Sequence, residues 1–194
     1  ENVDFQGFRG DIYVKEAIIP EGASVIPKSQ FFECRSLEKV YLPESVSGIE
    51  DYAFADCHVL KVWESIEKLS LKSVGISAFE NCYALEFVSL PDSLTVIGGA
   101  AFAECVSVNK LIFSDTSLLK KIGDHAFRGC RNLKEVYLPD SVEYVGVSAF
   151  RDCSSLEQIS VSEKIKKQPG IAELEKNCPN ARIRFREVNS VEKE

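Results

Sequence analysis

"CRNLKEVYLPDSVEYVGVSAFRDC" (Cys130 to Cys153) opens and closes on cysteine, with a phenylalanine three residues ahead of the second one. Its closing phrase returns as "YAFADC" (52–57), "SAFENC" (77–82), "AAFAEC" (100–105) and "HAFRGC" (125–130). The cysteines are Cys34, Cys57, Cys82, Cys105, Cys130, Cys153 and Cys178. Their successive numbers differ by 23, 25, 23, 25, 23 and 25, and no cysteine falls outside the series. Phe31, Phe54, Phe79, Phe102, Phe127 and Phe150 precede all but the last by three residues. "GFRGD" places Phe8 in the same slot, with Asp11 where the cysteine would stand. Two residue types holding register this long make the chain a repeat of about seven units, the first begun near Val3 and the last degraded.

One unit reads C-x-x-L-x-x-V-x-L-P-x-x-V-x-x-I-x-x-x-A-F-x-x-C. From Cys34 the apolar slots are Leu37, Val40, Leu42, Val46, Ile49, Ala53 and Phe54. From Cys130 they are Leu133, Val136, Leu138, Val142, Val145, Ala149 and Phe150. V-x-L alternates with period two, as a half-buried strand does. Pro43, Pro91 and Pro139 then end the strand, because proline has no N–H to continue a ladder. The later apolar residues, spaced three, three and four, suit a second short strand or irregular helical turns. One unit cannot bury its own apolar set. Stacking units at the strand spacing closes a continuous core, and seven rungs at roughly 4.8 Å give a curved rod about 35 Å long.

"LEKVYLPESVSGIEDYAFADC" (37–57), "LEFVSLPDSLTVIGGAAFAEC" (85–105) and "LKEVYLPDSVEYVGVSAFRDC" (133–153) resemble the BspA-like leucine-rich repeats of bacterial and protist surface proteins. The resemblance covers roughly residues 3–162. It implies a leucine-rich-repeat solenoid, α/β or mainly β with irregular helical turns. The expected form is a curved right-handed stack of 23–25-residue coils with a parallel sheet on one face. It also implies a cell-surface or secreted location and protein–protein contacts, such as adhesion to host proteins or other cells. In leucine-rich repeats an Asn or Cys at the turn supports the neighbouring coil's backbone, which is the role implied for the cysteines.

Composition narrows the partners. A net charge of -7 and a pI near 5.1 argue against nucleic acid or an anionic membrane surface. The longest apolar runs are a few residues, so this chain offers no membrane span. The absence of methionine, initiator included, suggests a processed product or a fragment. Neither the partner's identity nor an oligomeric state follows from the residues.

Catalytic and metal chemistry are poorly supported. A nucleophilic cysteine needs a base nearby in space, and the only histidines are His58 and His125. His58 follows Cys57, but the sister cysteines have no such neighbour. Zinc wants convergent C-x-x-C pairs, and even the nearest cysteines here, such as Cys34 and Cys57, lie far outside that spacing. Disulfides between rungs meet an odd count and parallel Cβ vectors. Buried free cysteines, in a column beside a column of phenylalanine rings, account for both series. Asp51, Glu80, Asp124 and Asp152 read as solvated loop charges. No cofactor is expected.

Partners are expected where the repeats disagree. Around the inward strand residue, one variable slot holds Ile18, Tyr41, Glu64, Ser89, Ile112, Tyr137 and Ser160. The other holds Glu16, Lys39, Val62, Phe87, Lys110, Glu135 and Gln158. The candidate protein-binding face is therefore Ile18, Lys39, Tyr41, Val62, Glu64, Phe87, Lys110, Ile112, Glu135 and Tyr137. Its aromatic and apolar members fit either a contact surface or simple strand preference. The units following Cys57 and Cys105 are two residues longer and lack the Leu-Pro step, which should make alternate coils bulge on one face. From Glu163 the residue pattern is lost. Domain boundaries are expected as 1–162 for the solenoid, 163–187 for a degenerate last repeat or cap, and 188–194 for a tail. "RIRF" within Arg182 to Arg186 reads as a half-buried strand. The alternatives are a linker into a further domain and, for function, a spacer that projects one.

Overall fold

The structure is a computed structural model describing residues 8–64 and 70–187; the side chains of 62–64 fall outside that description, as do Val3 and the 188–194 tail. Six coils contribute one strand to each of two parallel ladders. The first ladder holds β1 (Glu16–Ile18), β3 (Lys39–Tyr41), β5 (Val62–Glu64), β7 (Phe87–Ser89), β9 (Lys110–Ile112), β11 (Glu135–Tyr137), β13 (Gln158–Ser162) and β14 (Arg182–Arg186). The second holds β2 (Val25–Ile26), β4 (Gly48–Ile49), β6 (Ser73–Val74), β8 (Val96–Ile97), β10 (Lys121–Ile122) and β12 (Tyr144–Val145). The fold is thus a parallel-sheet solenoid of about seven turns with little helix. The sheet expected on one face is joined by this second ladder. It resolves the open segment of the repeat into a two-residue strand followed by turns.

The first-ladder strands sit one residue earlier than V-x-L suggests. They centre on Ala17, Val40, Val88, Leu111 and Val136, which are buried, and stop before Leu42 and Leu138; Ile159 is the equivalent buried residue of the longer β13. Those leucines turn into the core at the corner made by Pro43 and Pro139, so the proline ends pairing one step sooner.

The A-F-x-x-C segment forms the third wall. Alternate N–H groups bond forward to the next coil: Tyr52 to the Ile76 carbonyl at 2.9 Å, Phe54 to Ala78 at 2.8 Å and Asp56 to Glu80 at 2.8 Å. The wall turns by two left-handed residues per coil, one before the Ala-Phe pair and one before the cysteine. Tyr52 (φ 57) and Asp56 (φ 62), and Ala100 (φ 52) and Glu104 (φ 57), are such pairs. Behind it the rings from Phe8 to Phe150 stack with centroids 5.1–5.5 Å apart and interplanar angles of at most 27°. Each such pair adds about 0.5–1.5 kcal/mol beyond the area it buries. Where the second ladder ends, coils approach closely. A Cβ on Gly123 would lie 2.5 Å from the Gly99 nitrogen and 2.6 Å from the Gly98 carbonyl carbon, so only glycine fits.

Beyond Glu163 the residue pattern goes but the coil geometry persists. A 3-10 turn (Glu163–Ile165) and two short helices, α1 (Pro169–Ala172) and α2 (Leu174–Asn177), replace the second strand, and Ile171 and Leu174 are buried. β14 then pairs in parallel with β13 over five residues, from Gln158 opposite Arg182 to Ser162 opposite Arg186.

Candidate partner-binding face

Alternation in the first ladder sends one residue of three inward and leaves its two neighbours outside. Ile18 is 79% exposed, Tyr137 51%, Phe87 43% and Ile112 38%. Lys110 and Glu135 are exposed, while Lys39 and Tyr41 are half-buried. Val62 and Glu64 occupy the same ladder, with side chains outside the described set. Register joins these residues into rows: Glu16, Lys39 and Val62 in one, Ile18, Tyr41 and Glu64 in another, and Phe87, Lys110, Glu135, Gln158 and Arg182 further along. Ser160, in the same slot as Tyr137, is buried.

The two coil lengths shape this face. Wherever a short coil separates the strands, as between β1 and β3, β3 and β5, β7 and β9, and β11 and β13, three residue pairs are in register. At the long coils that separate β5 from β7 and β9 from β11 the ladder opens. Among the described residues no pairing joins β5 to β7, so the first ladder divides into two sheets. Between β9 and β11 one pair, Lys110 opposite Glu135, replaces three. The second ladder runs unbroken through all six of its strands. The two extra residues lie between β5 and β6 and between β9 and β10, and the first ladder alone yields to them.

A slot of about 450 Å³ fills the opening, lined among others by Asn109, Lys110, Phe113, Lys134, Glu135 and Tyr137. A second hollow of about 260 Å³ adjoins it through Phe113 and Tyr137. At that end Arg186 donates to the Leu138 carbonyl, pairs with Asp140 at 3.1 Å and sets its guanidinium 5.5 Å from the Tyr137 ring centroid. The inserted loop is tied down by Asp92, whose carboxylate accepts the Ser114 and Thr116 hydroxyls; those bonds lower its pKa from the ordinary value. Asn109, Phe113, Lys134, Glu157 and Arg186 are not among the residues that the repeat pattern singles out. The signal pointing to the first four is the longer cysteine spacing itself.

The cysteines belong to the wall behind the phenylalanines. Each thiol donates to the phenylalanine carbonyl of the preceding coil, from Cys34 to Phe8 at 2.7 Å through Cys105 to Phe79 at 3.1 Å to Cys178 to Phe150 at 2.9 Å. The same carbonyl accepts the N–H of its own coil's cysteine, as Phe79 does from Cys82 at 3.2 Å. All seven are free and buried. Burial pushes Cys34 and Cys178 up to about 11 and raises the five between them as well. These groups are thiols at neutral pH, the opposite of what a nucleophile needs. Among the described residues no cluster of three His, Cys, Asp or Glu side chains could hold a metal, and no helix is long and apolar enough to cross a membrane. His58 stacks on Tyr83 at 4.7 Å and His125 is one of the left-handed corner residues (φ 59).

Two of the loop carboxylates also hold the main chain of the next coil. Asp51 accepts the Ile76 N–H at 2.7 Å and Asp124 the Val147 N–H at 2.9 Å. Both stand just past the second ladder, where the next coil presents an N–H that the turn leaves free. The slot they share is what makes them alike.

Coils of two alternating lengths, with a cysteine-to-backbone bond at every turn, are what a comparison with known families must explain. The family described as BspA type leucine rich repeat region (6 copies) matches residues 1–118 and 72–178. The chain belongs to the BspA-type leucine-rich repeat family. Membership is consistent with a protein-interaction module, and the repeat is typically a non-enzymatic scaffold. A leucine-rich repeat protein from Bacteroides ovatus is similar over 94% of this chain and 63% of its own, at 22% identity and a TM-score of 0.62. A leucine rich cell surface protein from Faecalibacterium prausnitzii is similar over 94% of this chain and 62% of its own, at 24% identity and a TM-score of 0.55. Both likenesses speak for the fold alone. The pneumococcal vaccine antigen PcpA shares 27% identity over 77% of this chain and 41% of its own, with a TM-score of 0.65. The BspA-type chain thus spans less than two thirds of each of these proteins. No curated protein matches it.

Proposed function

We propose that this BspA-type solenoid is a non-enzymatic protein-binding module of a cell-surface or secreted protein, which holds host or cell-surface proteins through its first ladder. The observation that carries this is that Ile18, Phe87, Ile112 and Tyr137 stand exposed on one ladder whose inward residues build a uniform core. Aromatic and apolar side chains framed by charge are the usual composition of a contact centre and its rim. The surface location draws on the family and on a similar protein whose name places it at the cell surface. Residues 163–187 serve as the closing turn: Cys178 keeps its bond to Phe150, and the arginines of β14 give the last strand a charged edge that resists further pairing.

The test is binding of the purified chain to cells and to immobilised extracellular-matrix proteins, with and without Tyr41→Ser, Phe87→Ser and Tyr137→Ser combined. The triple variant is expected to lose about tenfold or more in affinity while keeping its far-ultraviolet circular dichroism. Undiminished binding would move the contact off this ladder. A folded chain that binds nothing, beside a longer chain that contains it and does bind, would leave these coils as a spacer.

A further inference from the structure

We propose that the slot between β9 and β11 seats an extended peptide segment of a protein partner, bound by main-chain hydrogen bonds and by charges of both signs. This rests on the ladder being the binding face, and it names where on the ladder and what kind of ligand.

The other rungs set the pattern. Before each first-ladder strand, an N–H bonds to the preceding coil: Glu38 to the Lys15 carbonyl at 2.7 Å, Asn109 to Glu86 at 2.8 Å and Glu157 to Lys134 at 2.8 Å. After the strand, an N–H bonds forward: Ile19 to Tyr41 at 3.0 Å, Leu90 to Ile112 at 3.2 Å and Leu138 to Ser160 at 3.0 Å. The equivalents across the open rung would join Lys134 N–H to the Asn109 carbonyl and Phe113 N–H to the Tyr137 carbonyl. Neither bond is present among the described residues. All four of these residues line the slot. Main-chain groups at both ends of the open rung therefore lack these bonds on residues that line one cavity, along strands that rise about 3.3 Å per residue. A peptide offers alternating donors and acceptors at that same repeat.

Side chains give a second, independent sign. In the N-terminal rungs the equivalent charges pair with each other, Lys39 with Glu16 at 3.8 Å and Lys61 with Glu38 at 3.4 Å. Across the open rung Lys110 and Glu135 occupy the first of these positions; Lys134 and Glu157 occupy the second on the adjoining closed rung between β11 and β13, and both line the slot. None of the four is in an ion pair among the described residues. The slot presents two uncommitted cations and two uncommitted carboxylates beside Ile112, Phe113 and Tyr137. Such a mixture suits an extended chain carrying both charges and an apolar side chain. A sugar would use the aromatic ring and the amides but leave all four charges unpaired.

The experiment is selection of a phage-displayed library of random linear peptides on the full chain, with a glycan array run in parallel. Enriched peptides are expected to lose about tenfold or more in affinity against Glu135→Lys/Glu157→Lys and to keep it against Ile18→Ser. Both changes are at the surface, and circular dichroism checks the fold. Amide exchange by NMR adds a readout that mere surface charge would not move: bound peptide should slow exchange at Lys134 and Phe113. Peptides that ignore the double variant but fail against Tyr41→Ser/Phe87→Ser would overturn the slot and leave the ladder intact as the binding face. No peptide enrichment, or glycan binding lost with Tyr137→Ala, overturns the peptide proposal, and the triple variant above then decides the face by itself.

Discussion

The wall of phenylalanines and cysteines and the exposed first ladder are made by the same coils, yet they respond differently to the same two extra residues. Along the phenylalanine wall ring spacing stays within 5.1–5.5 Å through long and short coils alike. Along the ladder each long coil between β5 and β11 loosens or breaks pairing. The difference lies in how many bonds hold each wall. The five turns from Ser29 to Gly129 each carry three forward main-chain bonds and one thiol bond, and the neighbouring glycines leave no room for drift. A first-ladder strand is typically three residues long, and one of its faces meets only water. Strain from an insertion goes where restoring it costs least. In this solenoid that is the face whose residues also vary most.

The largest effect should come from breaking the rigid wall. Phe102→Ala removes a fully buried ring stacked on both sides, and is expected to cost about 3–5 kcal/mol. Ile112→Ala, on the open ladder, should cost about 0.5 kcal/mol. Guanidinium unfolding of the two variants measures both. Similar losses would mean that the ladder, too, is held by packing, and the contrast between the walls would fail.

The thiols sharpen the comparison through pH. Burial raises Cys34 and Cys178 from the ordinary 9.0 to about 11, and the other five rise with them. A group raised in the folded state keeps its proton there after the unfolded chain has lost it. Its contribution is complete below pH 9 and is lost as pH climbs through the folded value. Stability should therefore be flat from pH 7 to 8.5 (about the reference thiol value) and fall between pH 9 and about 11 for the two end cysteines. The denaturation midpoint at stepped pH tests this. Native labelling by a thiol reagent should stay slow at neutral pH and become complete only on unfolding. A chain that labels fast while folded would contradict the burial and reopen thiol chemistry.

How much of this was readable in advance follows the same division. The phenylalanine and cysteine columns were legible because a fully buried slot admits one side chain, and so the residue type repeats. The long coils were legible as a count. Which wall would absorb them was not, because that depends on a balance of bonds between coils and not on any one residue. The second ladder was ambiguous because a two-residue strand leaves no periodicity to detect. Residues 163–187 keep their coil geometry through Cys178 and β14 while the apolar slots between them change, so the pattern faded before the structure did. The left-handed corners were hidden for a related reason: Tyr52, Ala100 and Glu104 are not residues that favour positive φ.

That last point carries the smallest prediction and the most specific one. Ala100 sits at φ 52 with its N–H bonded to the Asp124 carbonyl at 2.8 Å, and its methyl group is only half-buried. A left-handed L-residue costs roughly 1–2 kcal/mol, and glycine relieves that while adding about 0.4–1 kcal/mol of unfolded-state entropy. Ala100→Gly should therefore gain about 0.5 kcal/mol in urea unfolding, since little packing is lost in exchange. Gly129, at φ 74 in the corner before Cys130, shows the repeat already using glycine in this way. A clear loss from Ala100→Gly would mean that the corner is held by its methyl contact and not merely tolerated by the forward hydrogen bonds. The rigidity of the phenylalanine–cysteine wall would then come from packing more than from the main chain.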